Sequence, residues 1–293
     1  MNKISEIPEL IFFKLYAKFL VIKEILKYYS QPIRRSQNFN KRIRIIFKSN
    51  KFYDRKKIFI FVSYAKYLSE SSKNYLKLLN DLGYGIIHVN NIKTSRDDLL
   101  FLKNLLSIVI DRVNIGRDFG GYKDAFLYLN SLGVLQNLKY LGFANDSVQF
   151  LPGKNAEQLK KSIFEFEESN DFALFTHKSY QVMPHYQSFF KILSHEVFNK
   201  NEYISFWRRY KPYDNKSHLI FKGEIELSKL FYNLINKIKI LYSTTELSKK
   251  LINSSDNIFK KSISDLMVST ILPMPAKNYL LTEFKDIKLN QLS

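Results

Sequence analysis

The chain has 293 residues, enough for one large domain with or without appendages. Its content of 45% hydrophobic and 15% aromatic residues excludes global disorder, and the absence of cysteine excludes disulfides, thiolate metal sites and a cysteine nucleophile. A net charge of +19 directs attention to anionic partners: nucleic acid, anionic lipid or phosphate-bearing molecules.

Ile7 to Tyr29 reads as a helix that opens on Pro8, with Lys14, Lys18, Lys23 and Lys27 forming a basic stripe on a mostly apolar surface. Such a helix can lie on an anionic membrane surface, or pack on the main domain or on a second copy in a homo-oligomer. A basic run follows it: Arg34, Arg35, Lys41, Arg42, Arg44, Lys48, Lys51, Arg55, Lys56 and Lys57. No small-residue cleavage site follows the apolar stretch, so no secretory leader is expected. No run of about 18 uncharged apolar residues occurs, so no transmembrane helix is expected.

Strands and helices then alternate. Ile58 to Ser63 is a strand, and Ser69 to Leu82 is a helix N-capped by Ser69 and stopped at Gly83 or Gly85. Gly85 to Asn91 is the second strand, and Ser95 to Leu106 is a helix capped by Ser95. Leu105 to Ile110 is the third strand, its start competing with that helix. Gly121 to Leu132 is helical and Tyr140 to Ala144 is the fourth strand. This order predicts an α/β fold with a mostly parallel sheet. Beyond it, Asn155 to Glu168 reads as a helix, Phe172 to Thr176 as a strand, His185 to Phe198 and Glu202 to Tyr210 as helices, Leu219 to Phe221 as a short strand, Glu224 to Asn236 as a helix, and Ser262 to Ile271 as a further helix. The organisation is a basic helical extension over 1–50, a main domain over 51–240 and a C-terminal helical extension over 241–293.

Two polar clusters close apolar strands, where open α/β sheets hold their ligands. The first is Arg112-Val113-Asn114-Ile115-Gly116-Arg117-Asp118, continuing Phe119-Gly120-Gly121-Tyr122-Lys123-Asp124; the second is Asn145-Asp146-Ser147. Guanidinium, amide, glycine and carboxylate together suit a nucleotide diphosphate. Arg117 can neutralise phosphate through a forked hydrogen bond, and the glycines admit close backbone approach. Each cluster by itself also makes an ordinary turn. His88 and His177 form no metal-ligand pattern with other residues.

The same stretch resembles the rhamnan synthesis protein F family of bacterial polysaccharide glycosyltransferases, as do Asn145-Asp146-Ser147-Val148, His185-Tyr186-Gln187-Ser188-Phe189-Phe190 and Gly223-Glu224-Ile225-Glu226-Leu227-Ser228. The likeness runs from about Lys57 to Phe231. It implies a GT-A-like, Rossmann-like fold with an N-terminal helical extension. It also implies transfer of a hexose, rhamnose by the family's name, from a nucleotide-diphosphate sugar to a surface polysaccharide or lipid-linked glycan, with inversion, at the cytoplasmic face of the membrane. The donor-binding set would be Ser63, Asn91, Arg112, Asn114, Gly116, Arg117, Asp118, Lys123, Asn145, Asp146 and Ser147. Asp146 stands where such enzymes place a carboxylate on Mg²⁺ or Mn²⁺, although Asn145-Asp146-Ser147 carries one carboxylate where the Asp-x-Asp pattern has two. Glu224 matches the family glutamate and is the first choice of general base, with Glu226 and His185 as alternatives. His185, Gln187 and Trp207 can meet the acceptor, while Phe189, Phe190 and Phe206 suit the core. The competing reading is a non-catalytic basic module for glycan, lipid or nucleic acid. Nucleic acid is its weakest form, since no zinc pattern, RNP motif or basic recognition helix is present.

Overall fold

A computed structural model describes residues 42–241, apart from 106, 148–149, 151–152 and 180–183, together with Leu15, Phe19, Ile22, Lys23 and Leu26. Four strands that read as apolar runs form its centre: β2 (Lys57–Ser63), β3 (Tyr84–Asn90), β4 (Ile108–Arg112) and β5 (Tyr140–Asn145). They pair in parallel in the order β4-β3-β2-β5. Helices α1 (Glu70–Asp81), α2 (Arg96–Asn104) and α3 (Arg117–Ser131) make the crossovers. Both serine caps form as expected: Ser69 Oγ accepts from Ser72 N–H and Ser95 Oγ from Asp98 N–H.

Apolar residues cover both faces of this sheet, which is why its strands are apolar without alternation. On one face lie Phe119, Tyr122 and Phe126 of α3, with Tyr203 and Trp207 of α6 (Asn201–Arg209). The other face carries Tyr75, Leu76 and Leu79 of α1, Leu102 of α2, and Ile163 and Phe166 of α4 (Lys154–Glu167). Gly142 in β5 lets the Phe59 ring of β2 lie against its backbone; a Cβ there would fall 2.2 Å from that ring.

The flanks differ from expectation. Residues 43–48, assigned from sequence to the N-terminal extension, form β1 (Ile43–Lys48), an edge strand antiparallel to β4. The third central strand starts at Ile108, because α2 claims the residues up to Asn104. The segment read as one helix from His185 to Phe198 is instead a hairpin strand β8 (His185–Tyr186), paired with β7 (Lys178–Ser179), then β9 (Phe190–Ser194) and the single turn α5 (His195–Phe198). β9 inserts antiparallel between β5 and β6 (Ala173–Phe175), and β10 (Ile238–Ile240) closes the far edge, so the eight-stranded sheet is mixed. All five residues of β9 are buried, and a short apolar run carries no period that separates strand from helix. The expected strand Leu219–Phe221 is part of a π-helical stretch, Leu219–Ile225, that joins α7 (Lys216–His218) to α8 (Glu226–Leu234) without a break.

The five described positions before residue 42 are helical and exposed; the rest of the expected Ile7–Tyr29 helix lies outside the described residues. The Ser262–Ile271 helix lies outside the described residues. Among those described, no helix is long and apolar enough to cross a membrane.

Candidate functional site

The central strands run β2 to β3 to β4 toward one side, and β5 lies on the other side of β2. Ligands of open α/β sheets bind at such a switch point, beyond the carboxyl ends of the strands. A cleft of about 800 Å³ opens there, walled by the ends of β2 and β5, by the β4–α3 loop, by β8 and by the α7–π segment. It is lined by Ser63, Asn91, Asn114, Arg117, Asp118, Asn145, Asp146, Ser147, His185, Gln187 and Glu224, all expected from sequence.

The strand-end wall is fixed by its own hydrogen bonds. Asn145 Nδ2 donates to Asp118 Oδ2 at 2.8 Å, and Asn145 Oδ1 accepts from Ser147 N–H. Asp146 Oδ2 accepts the Tyr64 N–H at 2.7 Å, which joins the end of β5 to the end of β2. Ser63 Oγ lies 2.9 Å from His88 Nε2, a fully buried ring whose pKa burial lowers to about 4. Burial also raises Asp118 above the ordinary carboxylate value, against the opposing pull of the Asn145 hydrogen bond. Gly116 and Arg117 both have positive φ, 74° and 53°. Gly116 is required, since a Cβ would lie 2.3 Å from Pro212 Cβ. Arg117 bears the cost of that conformation at the rim of the cleft, where it presents an exposed guanidinium.

The opposite wall carries Glu224 and His185. Glu224 projects from the π-helical stretch, 8% exposed. Its Oε1 accepts from Ser188 Oγ at 2.6 Å and from Ser188 N–H at 3.3 Å, and its Oε2 lies 3.6 Å from His185 Nε2. Burial raises its pKa to about 7, outweighing the Ser188 hydrogen bond. Gly223 precedes it because Phe119 packs directly on that backbone, 2.9 Å from a would-be Cβ.

Five expected residues stand elsewhere. Arg112 is buried beneath the wall; it pairs with Asp124 at 3.0 Å, donates to Asn91 Oδ1 at 2.5 Å and to the Ile115 carbonyl at 2.8 Å. Arg42 holds the other Asp124 oxygen. Arg112 therefore positions Asn91, which lines the cleft. Lys123 is buried with its ammonium donating to the Tyr210 and Arg208 carbonyls, so it ties α3 to the end of α6. Gly116 shapes the loop through its N–H, which donates to Asp214 Oδ1 at 2.7 Å. Trp207 is fully buried against Phe119, Phe126 and Phe143. Glu226 is exposed, paired with Lys222, and borders a different groove. Sequence reasoning missed Ser188, Tyr64, Phe189, Lys216, Leu219 and Ile220 as site residues. Ser188 lay inside the quoted His185–Phe190 motif, the one signal that could have found it.

Among the described residues, no three His, Asp or Glu side chains converge to hold a metal ion. Asp146 faces the cleft as one carboxylate, with one oxygen on Tyr64 N–H. That donor set fits a hard divalent ion held largely by a ligand's own phosphates, a mode usual for Mg²⁺.

Fold and cleft define an α/β protein with an open cleft at the switch point of its sheet. The chain belongs to the rhamnan synthesis protein F family, whose model matches residues 86–282. The match starts later and ends later than the Lys57–Phe231 stretch over which the likeness is expected, and it contains every quoted motif. Membership sets the chain among polysaccharide-biosynthesis proteins. It is also 30% identical, over 189 residues, to an uncharacterized protein y4gN of Sinorhizobium fredii (strain NBRC 101917 / NGR234). That alignment covers 64% of this chain and 48% of the relative, so the chain spans about half the length of that relative.

Proposed function

We infer that the protein is a glycosyltransferase that moves a sugar from a nucleotide-diphosphate donor to a growing surface polysaccharide or lipid-linked glycan, with inversion. The observation that carries this reading is Glu224: a buried carboxylate on the cleft wall, held by Ser188, beside His185 and poised near neutral pH. A general base works best with a pKa near the working pH. The parallel β4-β3-β2-β5 unit with its cleft at the switch point supports a GT-A-like assignment.

The donor diphosphate lies across the strand-end wall, where Arg117 and Lys216 supply cationic charge and Asn91, Asn114 and Ser63 supply polar contacts. Asp146 and the phosphates would hold a Mg²⁺ or Mn²⁺ ion, which when bound offsets charge on the departing diphosphate. The acceptor enters beside Gln187 and His185. Glu224 Oε2 takes the proton of the acceptor hydroxyl, that oxygen bonds the sugar C1 from the face opposite the phosphate, and the C1–O bond to the diphosphate breaks. Rhamnose is the sugar suggested by the family's name, and the inner face of the plasma membrane is the place where lipid-linked acceptors would be met.

The test is Glu224→Gln, which keeps size and most hydrogen bonding but accepts no proton. Turnover should fall by roughly 10²–10⁴, while donor affinity by isothermal titration stays near that of the wild type. Full turnover in Glu224→Gln with loss in His185→Ala moves the base to His185. Donor binding with no transfer by the wild type favours a non-catalytic module.

A further inference from the structure

Lys191, in the middle of β9, has no part in the reading above. It sits in register with Phe143 of β5 and Phe175 of β6, on the sheet face covered by α3. It is 1% exposed, and its Nζ has no hydrogen-bond partner among the described residues. The ammonium lies 4.6 Å from the ring centroids of Tyr122 and Phe143 and 5.7 Å from that of Phe119. It borders a small internal void behind the cleft wall, shared with Ser188, Gln187, Tyr186 and Glu224.

A buried ammonium without a partner is costly and is retained in a core only if something offsets it. Three aromatic faces supply part of that offset. Burial is the larger effect and pulls the Lys191 pKa down to about 7; the charges of Asp118, at the start of α3, and Glu224, on the π-helical stretch, oppose it and favour the ammonium. The other groups around this point are the Tyr122 hydroxyl on α3, the Tyr210 hydroxyl after α6, and His185 on β8 across Glu224. β5 and β6 contribute aromatic side chains here, Phe143 and Phe175. Lys191 is thus a buried amine coupled to two carboxylates that repel one another, Asp118 on the strand-end wall and Glu224 on the opposite wall.

We propose that Lys191 is a positioning residue of the site, its ammonium holding Glu224 in the ionised, proton-accepting form against burial and against the charge of Asp118. The proposal rests on the assignment of Glu224 as base, but its physical content, a charge coupling between the two side chains, is measurable without turnover. Lys191 faces away from the open cleft, so the coupling needs no contact with any ligand. The site reached by the acceptor is unchanged by it.

The experiment replaces Lys191 by Met, which keeps length and volume and removes the charge. Carboxyl-carbon NMR of glutamate-labelled protein, with Glu224→Gln to assign the signal, follows the ionisation of Glu224 directly. Its midpoint in Lys191→Met should rise by about one pH unit or more, and the rising limb of the kcat/KM profile should move up by the same amount. A Glu224 midpoint that stays in place overturns the proposal. A midpoint that moves while the activity profile does not upholds the coupling and removes Glu224 as base. Should the variant fail to fold, lysine side-chain nitrogen spectra of the wild type decide: Lys191 must stay protonated through the pH at which Glu224 ionises, and a neutral amine there overturns the proposal.

Discussion

The two walls of the cleft are built on different principles. The strand-end wall grows from parallel strands buried on both faces. Its polar residues are locked to one another: Asn145 to Asp118, Asp146 to the Tyr64 amide, Asn91 to Arg112 and through it to Asp124. The opposite wall grows from a hairpin and a π-helical stretch, and carries Glu224, His185 and, behind them, Lys191. On the proposed function one wall is the donor socket and the other carries the proton-accepting Glu224, so binding and proton transfer should be separately perturbable, which the following variants exploit.

Arg112→Met should separate the socket from its support most forcefully. It leaves Asp124 with Arg42 alone inside the core, and breaking a buried pair costs about 3–5 kcal/mol. Denaturant unfolding should show that loss. A stable Arg112→Met protein with lost donor binding would instead make Arg112 a ligand contact.

Asp146→Asn acts on the socket itself. Transfer should drop by about 10²–10³ through loss of charge stabilisation, with the melting temperature close to the wild type's. Near-normal turnover with and without chelator would remove Asp146 from the mechanism.

The wall that carries Glu224 has a pH signature in stability. Glu224 has a folded pKa of about 7, above its ordinary 4.5, so the folded state binds more protons than the unfolded state between those values. Its contribution to stability therefore falls as pH rises from 4.5 through 7. Glu224→Gln lacks this dependence. Relative to the wild type the variant should gain up to about 3 kcal/mol between pH 4.5 and 8, read from paired thermal or denaturant melts. A gap that is constant with pH would place the proton elsewhere.

The smallest effect concerns neither wall. Leu15, Phe19, Ile22 and Leu26 are 55–67% exposed and recur at helical spacing beside the lysines of the basic stripe. Removal of residues 1–41, which spares β1, should weaken flotation with anionic vesicles, and salt should weaken the electrostatic share. Equal flotation of both proteins would assign the helix another role.

The socket was legible in the sequence because its physics is local. Apolar runs ending in Ser63, Asn91 and Asn145 mark strand ends, Ser69 and Ser95 mark helix starts, and polar residues at strand ends fall on the ligand side of a parallel sheet. The other wall was not legible as structure, though its motifs were noticed. β9 is apolar apart from Lys191 and its last residue, Ser194, and a lysine within an apolar run gives no sign that its head is buried. Leu219-Ile220-Phe221 has strand-like residues but joins a helix, because Phe119 packs onto Gly223 from a distant part of the chain. Arg112 and Lys123 read as ligands for phosphate because their partners, Asp124 and the Tyr210 carbonyl, become neighbours only through the tertiary fold.

The antiparallel insertion of β9 also governs the order in which the molecule can be assembled. β5 has β2 on one side from the moment the parallel unit forms, but its other side is closed only by Phe190–Ser194. In a chain made from its N-terminus, Leu141 and Phe143 lie on an open, apolar sheet edge until that later segment emerges and docks. The same strand that brings Lys191 behind the cleft is the one that seals this edge. The wall that carries Glu224 is finished only later, when the π-helical stretch Leu219–Ile225 follows, and the outer edge of β6 is closed later still by β10.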